Sequence, residues 1–87
     1  MIASGASPRL ARGVRLRHDR VRDRWLLLAP ERGFVLNRTA LAIVRSLDGR
    51  TLGELARRLA ASEQAPESEI CAFVEALAAR GLVEASP

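Results

Sequence analysis

The sequence predicts an α+β domain of winged-helix-like proportions, in which a three-stranded antiparallel sheet is followed by three helices. Apolar residues recur at a period of two before Leu36 and close to 3.6 after it, so the extended segments come first and the helical ones second. A length of 87 residues holds one core, because independent domains seldom fall below about 50 residues. Residues 1–7, small and polar up to Pro8, are expected to be a flexible arm, and residues 8–87 a single domain.

The first strand follows Gly13. Val14, Leu16 and His18 alternate there with Arg15, Arg17 and Asp19, which gives one buried and one wet face. A polar connection, Asp19 to Asp23, leads to Arg24–Ala29, apolar on both faces and therefore placed at the centre of the sheet. Pro30-Glu31-Arg32-Gly33 combines a proline of preset φ with a glycine, the ingredients of a tight turn. Gly33–Leu36 returns as a short third strand near an edge.

Asn37 then stands where a helix N-cap belongs, ahead of the stripe Ala40, Leu41, Ile43, Val44 and Leu47, and Asp48-Gly49 ends that first helix. Thr51 and Glu54 have the spacing of a capping box for a second helix running to about Ala61, with Leu52, Leu55, Ala56 and Leu59 inward. Pro66, Glu67 and Glu69 suit the first turn of a third helix, whose stripe is Ile70, Phe73, Val74, Leu77 and Ala78 and whose stop is Gly81. The tail Leu82-Val83-Glu84 is placed back on the core.

Composition excludes several classes. The balance of 48% hydrophobic and 28% charged residues is that of a folding chain rather than a disordered one. Cys71 is the only cysteine and His18 the only imidazole, so neither an intrachain disulfide nor a Cys/His zinc site can be completed. No apolar stretch is longer than that of Trp25 to Ala29, far short of the roughly 20 residues of a membrane helix, and the N-terminus has no apolar run of secretory type. A cytoplasmic location without a membrane partner is expected.

An enzyme of this size needs converging reactive groups, and the inventory is poor. His18 shares the alternating face of Val14 and Leu16, which points to a structural role at a strand end. Cys71 lies among glutamates that raise a thiol pKa, so it reads as a small hydrophobe rather than a nucleophile. No phosphate loop, paired carboxylate or metal-ligand spacing is present, and no cofactor is expected.

Binding remains. All basic residues are arginines, and residues 1–38 hold nine of them against three acids, so this half attracts an anionic partner. A winged-helix nucleic-acid-binding regulator is the alternative reading, but the third helix carries Glu67, Glu69 and Glu75 against one arginine. Duplex DNA, with about one negative charge per 1.7 Å, would repel it. An extended peptide fits better: the third strand is short enough to leave amides and carbonyls free for an added strand, with the Phe73 and Val74 edge of the third helix as its wall and Ile70 and Leu77 held in the core. A plain oligomerisation module is a further reading, because a homodimer would bury whichever face of Trp25 to Leu28 is left uncovered.

The residues Pro8-Arg9-Leu10 with Gly13-Val14-Arg15-Leu16, Leu28-Ala29-Pro30-Glu31-Arg32-Gly33 and Leu36-Asn37-Arg38-Thr39-Ala40 stand in a specific order and spacing. With Asp48-Gly49-Arg50-Thr51-Leu52, Glu54-Leu55, Phe73-Val74, Leu77 and Gly81-Leu82, they resemble the PqqD family of pyrroloquinoline quinone (PQQ) biosynthesis. That family consists of stand-alone recognition elements for the precursor of a ribosomally made, modified peptide (RiPP). The likeness spans Pro8 to Val83, and Glu69 stands before Ile70 where the family commonly has an aspartate.

The resemblance implies a winged-helix-like peptide chaperone without chemistry of its own. Such a domain binds the precursor peptide PqqA by strand addition and presents it to PqqE, a radical S-adenosylmethionine (SAM) enzyme that crosslinks a Glu and a Tyr of the peptide. On this chain the implied peptide-binding residues are Arg32, Gly33, Phe34, Val35 and Leu36 of the third strand and Glu69, Ile70, Phe73, Val74 and Leu77 of the third helix.

Overall fold

The computed structural model describes residues 1–86. Its elements run β1 (Ser7–Leu10), β2 (Arg15–Asp19), β3 (Arg24–Ala29), β4 (Arg32–Leu36), α1 (Arg38–Arg45), α2 (Leu52–Glu63), α3 (Glu67–Ala79) and β5 (Val83–Ser86). Strands β2, β3 and β4 form an antiparallel sheet in that order, as the sequence predicts, and β3 is its centre. Leu27 pairs with Leu16 on one side and with Phe34 on the other. Strand alternation therefore puts Leu16, Leu27 and Phe34 on the face that packs against the helices, where Leu27 is fully buried. Leu26, Leu28 and Val35 lie on the opposite face beside Arg15 and Arg17.

Each helix begins where local chemistry satisfies free amides. The Asn37 side chain accepts from the Ala40 amide at 2.8 Å to start α1. Thr51 and Glu54 close a reciprocal capping box at the start of α2. Pro66 precedes α3 without a side-chain cap, and Gly81, in the left-handed region at φ 76°, turns the chain out of it. Ile43, Val44, Leu52, Leu55, Leu59, Ile70, Val74, Leu77, Leu82 and Val83 close over Leu27 as one core.

The sequence reading misses a second sheet. β1 pairs antiparallel with β5, Ser7 opposite Ser86 and Leu10 opposite Val83, in a two-stranded ribbon. Pro8 is fully buried there. The segment ahead of it, expected as an arm, runs to the start of α2, where the Leu52 amide donates to the Ala6 carbonyl at 2.8 Å and the Gly53 amide to the Ser4 carbonyl at 2.9 Å. These bonds use amides that the first turn of a helix leaves without internal partners.

At the far end of the sheet His18 stacks on Trp25 with ring centroids 4.7 Å apart, and its Nε2 lies 3.0 Å from Oδ1 of Asp23. Arg45 of α1 covers the same indole at 4.6 Å. Asp19 accepts from the amides of Val21 and Arg22 and pairs with Arg24, which fixes the turn between β2 and β3.

Candidate peptide-binding groove

Only two residues, Pro30 and Glu31, connect β3 to β4, so Ala29 and Arg32 form the closing hydrogen-bonded pair of the hairpin. Pairing alternates along an antiparallel ladder. Arg32, Phe34 and Leu36 consequently direct their backbone groups to β3, and Gly33 and Val35 direct theirs outward. Among the described residues no backbone hydrogen bond uses those outward groups. Val35 is 59% exposed, and Gly33 adds no side chain that would shield the edge.

α3 meets the start of β4 through its C-terminal cap, Arg80. Its residues Glu69, Phe73 and Arg80, the last being the helix cap, follow one another on the side turned toward β4 and α1. Phe73 and Glu69 line a cavity of about 190 Å³ with Asn37, Thr39, Ala40, Ile43, Ala65 and Ile70. Arg80 reaches Phe34 at the other end of β4, its guanidinium 5.7 Å from the ring, and Arg32 approaches the same ring at 5.6 Å. The Arg32 guanidinium also donates to the Arg80 carbonyl at 3.0 Å, which ties the start of β4 to the end of α3.

The ten residues singled out from the sequence divide by burial. Arg32, Gly33, Val35 and Glu69 are exposed, and Phe34, Leu36 and Phe73 are half-buried along the groove. Ile70, Val74 and Leu77 are core residues. The split that assigned Val74 with Phe73 to the wall is corrected here: Val74 is 0% exposed and packs inward with Ile70, so Phe73 supplies the aromatic surface alone. Sequence reasoning missed Arg80, Ala65 and the α1 residues Thr39, Ala40 and Ile43. A signal for Arg80 existed, because it falls seven residues after Phe73 and so on the same helical face.

Cys71 lies on a half-buried part of α3, and burial, with Glu75 and Glu67 nearby, pushes its thiol above the ordinary range. The described residues contain no cluster of metal-ligating side chains. No helix among them is long and apolar enough to cross a membrane.

Residues 24–83 match the family described as coenzyme PQQ synthesis protein D. The chain belongs to the PqqD family. Two relatives, each named PqqA binding protein, agree with this. One from Gluconobacter oxydans is 46% identical over 78 residues, covering 88% of this chain and 81% of the relative. One from Xanthomonas oryzae is 46% identical over 79 residues, covering 90% and 86%. The fold is also that of a solved family member, the PqqD portion of PqqCD from Methylobacterium extorquens, described as a functional, stand-alone RiPP recognition element. Its solution structure superposes with a TM-score of 0.70 at 38% identity, over 97% of this chain and 95% of that one. In this family member the open edge of β4 meets Arg80 of α3 at its start, and at its end lies the cavity between α1 and α3 that Phe73 lines.

Proposed function

We propose that this PqqD-family chain is a peptide chaperone of PQQ biosynthesis, which binds the precursor peptide PqqA as a strand added beside β4 and presents it in the cytoplasm to the radical SAM enzyme PqqE. The observation that carries the reading is the outward-facing backbone of Gly33 and Val35 on a strand whose start is tied to Arg80 of α3 and whose end runs into the cavity that Phe73 lines. Two amides and two carbonyls contribute about 4 kcal/mol at a net of about 1 kcal/mol per hydrogen bond, while a micromolar complex requires roughly 8 kcal/mol. Burying about 160 Å² of apolar surface against Phe73 and the cavity supplies the remainder at about 25 cal/mol per Å². One or two apolar side chains of the peptide suffice.

Backbone pairing gives affinity with little sequence demand, and side-chain pockets add selectivity. A guest strand keeps its other edge and half of its side chains outside the groove, available to the enzyme that modifies it. This chain contributes no reacting group in that scheme; its work is to hold the peptide extended.

The reading is tested by titrating labelled protein with a synthetic precursor peptide and, separately, with random duplex DNA. Saturable binding to the peptide alone is expected, together with faster crosslinking of the peptide by PqqE when the chain is present. Binding to DNA alone would remove the chaperone reading and leave the nucleic-acid regulator.

A further inference from the structure

The two ends of the groove differ in charge. At the start of β4, the guanidiniums of Arg32 and Arg80 converge on the Phe34 ring, 5.6 and 5.7 Å from its centroid. Among the described residues the ion pairs engage Arg9, Arg24, Arg50 and His18, so neither of these two guanidiniums has a carboxylate partner. Two like charges against one ring repel each other, and a carboxylate placed between them removes that repulsion while gaining charge-assisted hydrogen bonds. Arg32 has already committed one donor to the Arg80 carbonyl, which fixes its position and leaves its other donors for a guest.

At the other end of β4 the cavity has an apolar lining of Ala40, Ile43, Ala65, Ile70 and Phe73, and Glu69 stands at its rim. The Asn37 side chain is already occupied in capping α1. An apolar cavity of roughly 150 Å³ accommodates a benzene-sized group, so about 190 Å³ accepts one aliphatic or aromatic side chain. The rim carboxylate repels an acidic residue there.

The spacing of the two ends follows from the elements themselves. From Arg32 to Leu36 the strand advances about 13 Å at 3.3 Å per residue, and from Glu69 to Arg80 the helix advances about 16 Å at 1.5 Å per residue. The two elements run in opposite directions, so their ends coincide.

We infer that the groove selects a peptide carrying an acidic residue and an apolar residue four positions apart on the same face of its extended backbone. The acidic side chain sits between Arg32 and Arg80, and the apolar one fills the cavity beside Glu69. The inference rests on the peptide-binding reading above and adds to it the chemistry of the segment recognised. A spacing of three positions would turn one of the two side chains to the opposite face of the strand.

The test uses the synthetic precursor peptide and a set of its variants, each with one Asp or Glu replaced by Lys, titrated against wild-type protein, Arg80→Glu and Arg80→Lys. One Lys replacement is expected to weaken binding to wild type at least fivefold. Arg80→Glu should weaken the parent peptide similarly and restore affinity for that same Lys variant, while Arg80→Lys, which keeps the charge without the guanidinium fork, should lose less than Arg80→Glu. Ala65→Leu, which fills the cavity, is expected to lose at least fivefold, and so is alanine at the peptide's apolar residue four positions from the sensitive acid.

Circular dichroism of each variant separates lost binding from lost folding. If every Lys replacement is neutral, or Arg80→Glu binds the parent peptide as wild type does, the charge-and-spacing rule is overturned while peptide recognition stands. Should wild-type protein fail to bind the parent peptide at all, the peptide-binding reading itself fails.

Discussion

The three-stranded sheet ends in two open margins, β2 on one side and β4 on the other, and they are built differently. By the alternation of the ladder, Leu16 and His18 turn their backbone groups outward at the β2 margin as Gly33 and Val35 do at the β4 margin. The backbone offers nearly the same pattern on both. Around β2, however, the hollows are lined by sheet and turn residues such as Arg17, Arg20, Val21, Leu26 and Leu28, or Gly13, Val14, Arg15 and Pro30, with no helix residue among them. Exposed arginines beside a strand edge discourage casual pairing. Where β4 ends, at Asn37, α1 and α3 enclose a cavity lined by Phe73. On the proposed reading, what stands next to an open edge decides whether it receives a guest, since about four backbone hydrogen bonds by themselves fall short of a micromolar complex.

The largest effect expected from breaking this asymmetry belongs to proline at the two margins. Val35→Pro removes an outward amide and places a ring in the path of the guest strand, so affinity for the precursor peptide should fall at least tenfold with helical circular dichroism retained. Leu16→Pro removes the equivalent group from β2. It should lower the melting temperature, since Leu16 packs on the core, and leave the peptide Kd of the folded protein unchanged. Equal loss of affinity in both variants would mean that the margins are equivalent.

A smaller effect is expected from Phe73→Ala, which keeps the edge and removes its wall. Because the ring is half-buried, the substitution should cost about 1–2 kcal/mol of stability, below the 3–5 kcal/mol of a fully buried aromatic, and weaken peptide binding about fivefold to tenfold. Calorimetric unfolding and fluorescence titration measure the two losses separately. Unchanged binding would move the wall elsewhere on α3.

Acid distinguishes the margins more subtly. Although burial of its carboxyl opposes the shift, the amides of Arg22 and Val21 and the guanidinium of Arg24 hold Asp19 below the ordinary carboxylate range. A lowered folded-state pKa gives a contribution that is complete above the unfolded value, near 3.8, and is lost as the pH falls through the lower folded value. The protection factors of amides in the turn between β2 and β3 should therefore fall below about pH 4 before those of β4 do, since no carboxylate caps the Pro30-Glu31 turn in this way. Simultaneous loosening of both hairpins would contradict it.

The smallest effect concerns Cys71 on the wall helix. Burial and the nearby glutamates raise its thiol, so alkylation by iodoacetamide should reach half its maximal rate at a higher pH than for free cysteine, and Glu75→Gln should bring that pH down.

Much of this architecture was legible in the residues. The change of period at Leu36 and the caps at Asn37 and Thr51 are local signals, and local signals survive folding. The ribbon of β1 and β5 was not legible, because Ser7-Pro8-Arg9-Leu10 is short, contains a proline and finds its partner only at Val83–Ser86. Helical periodicity marked Phe73 and Val74 together as apolar without telling which of them meets the sheet. The cavity was equally invisible, since Ala40 and Ile43 of α1 meet Ala65 and Phe73 only through tertiary packing.

The antiparallel pairing of Ser7 with Ser86 brings the first and last strands of the fold side by side. A short linker joining them, with new ends cut at the exposed Arg20-Val21 turn, would give a circularly permuted domain in which the β4 edge is intact.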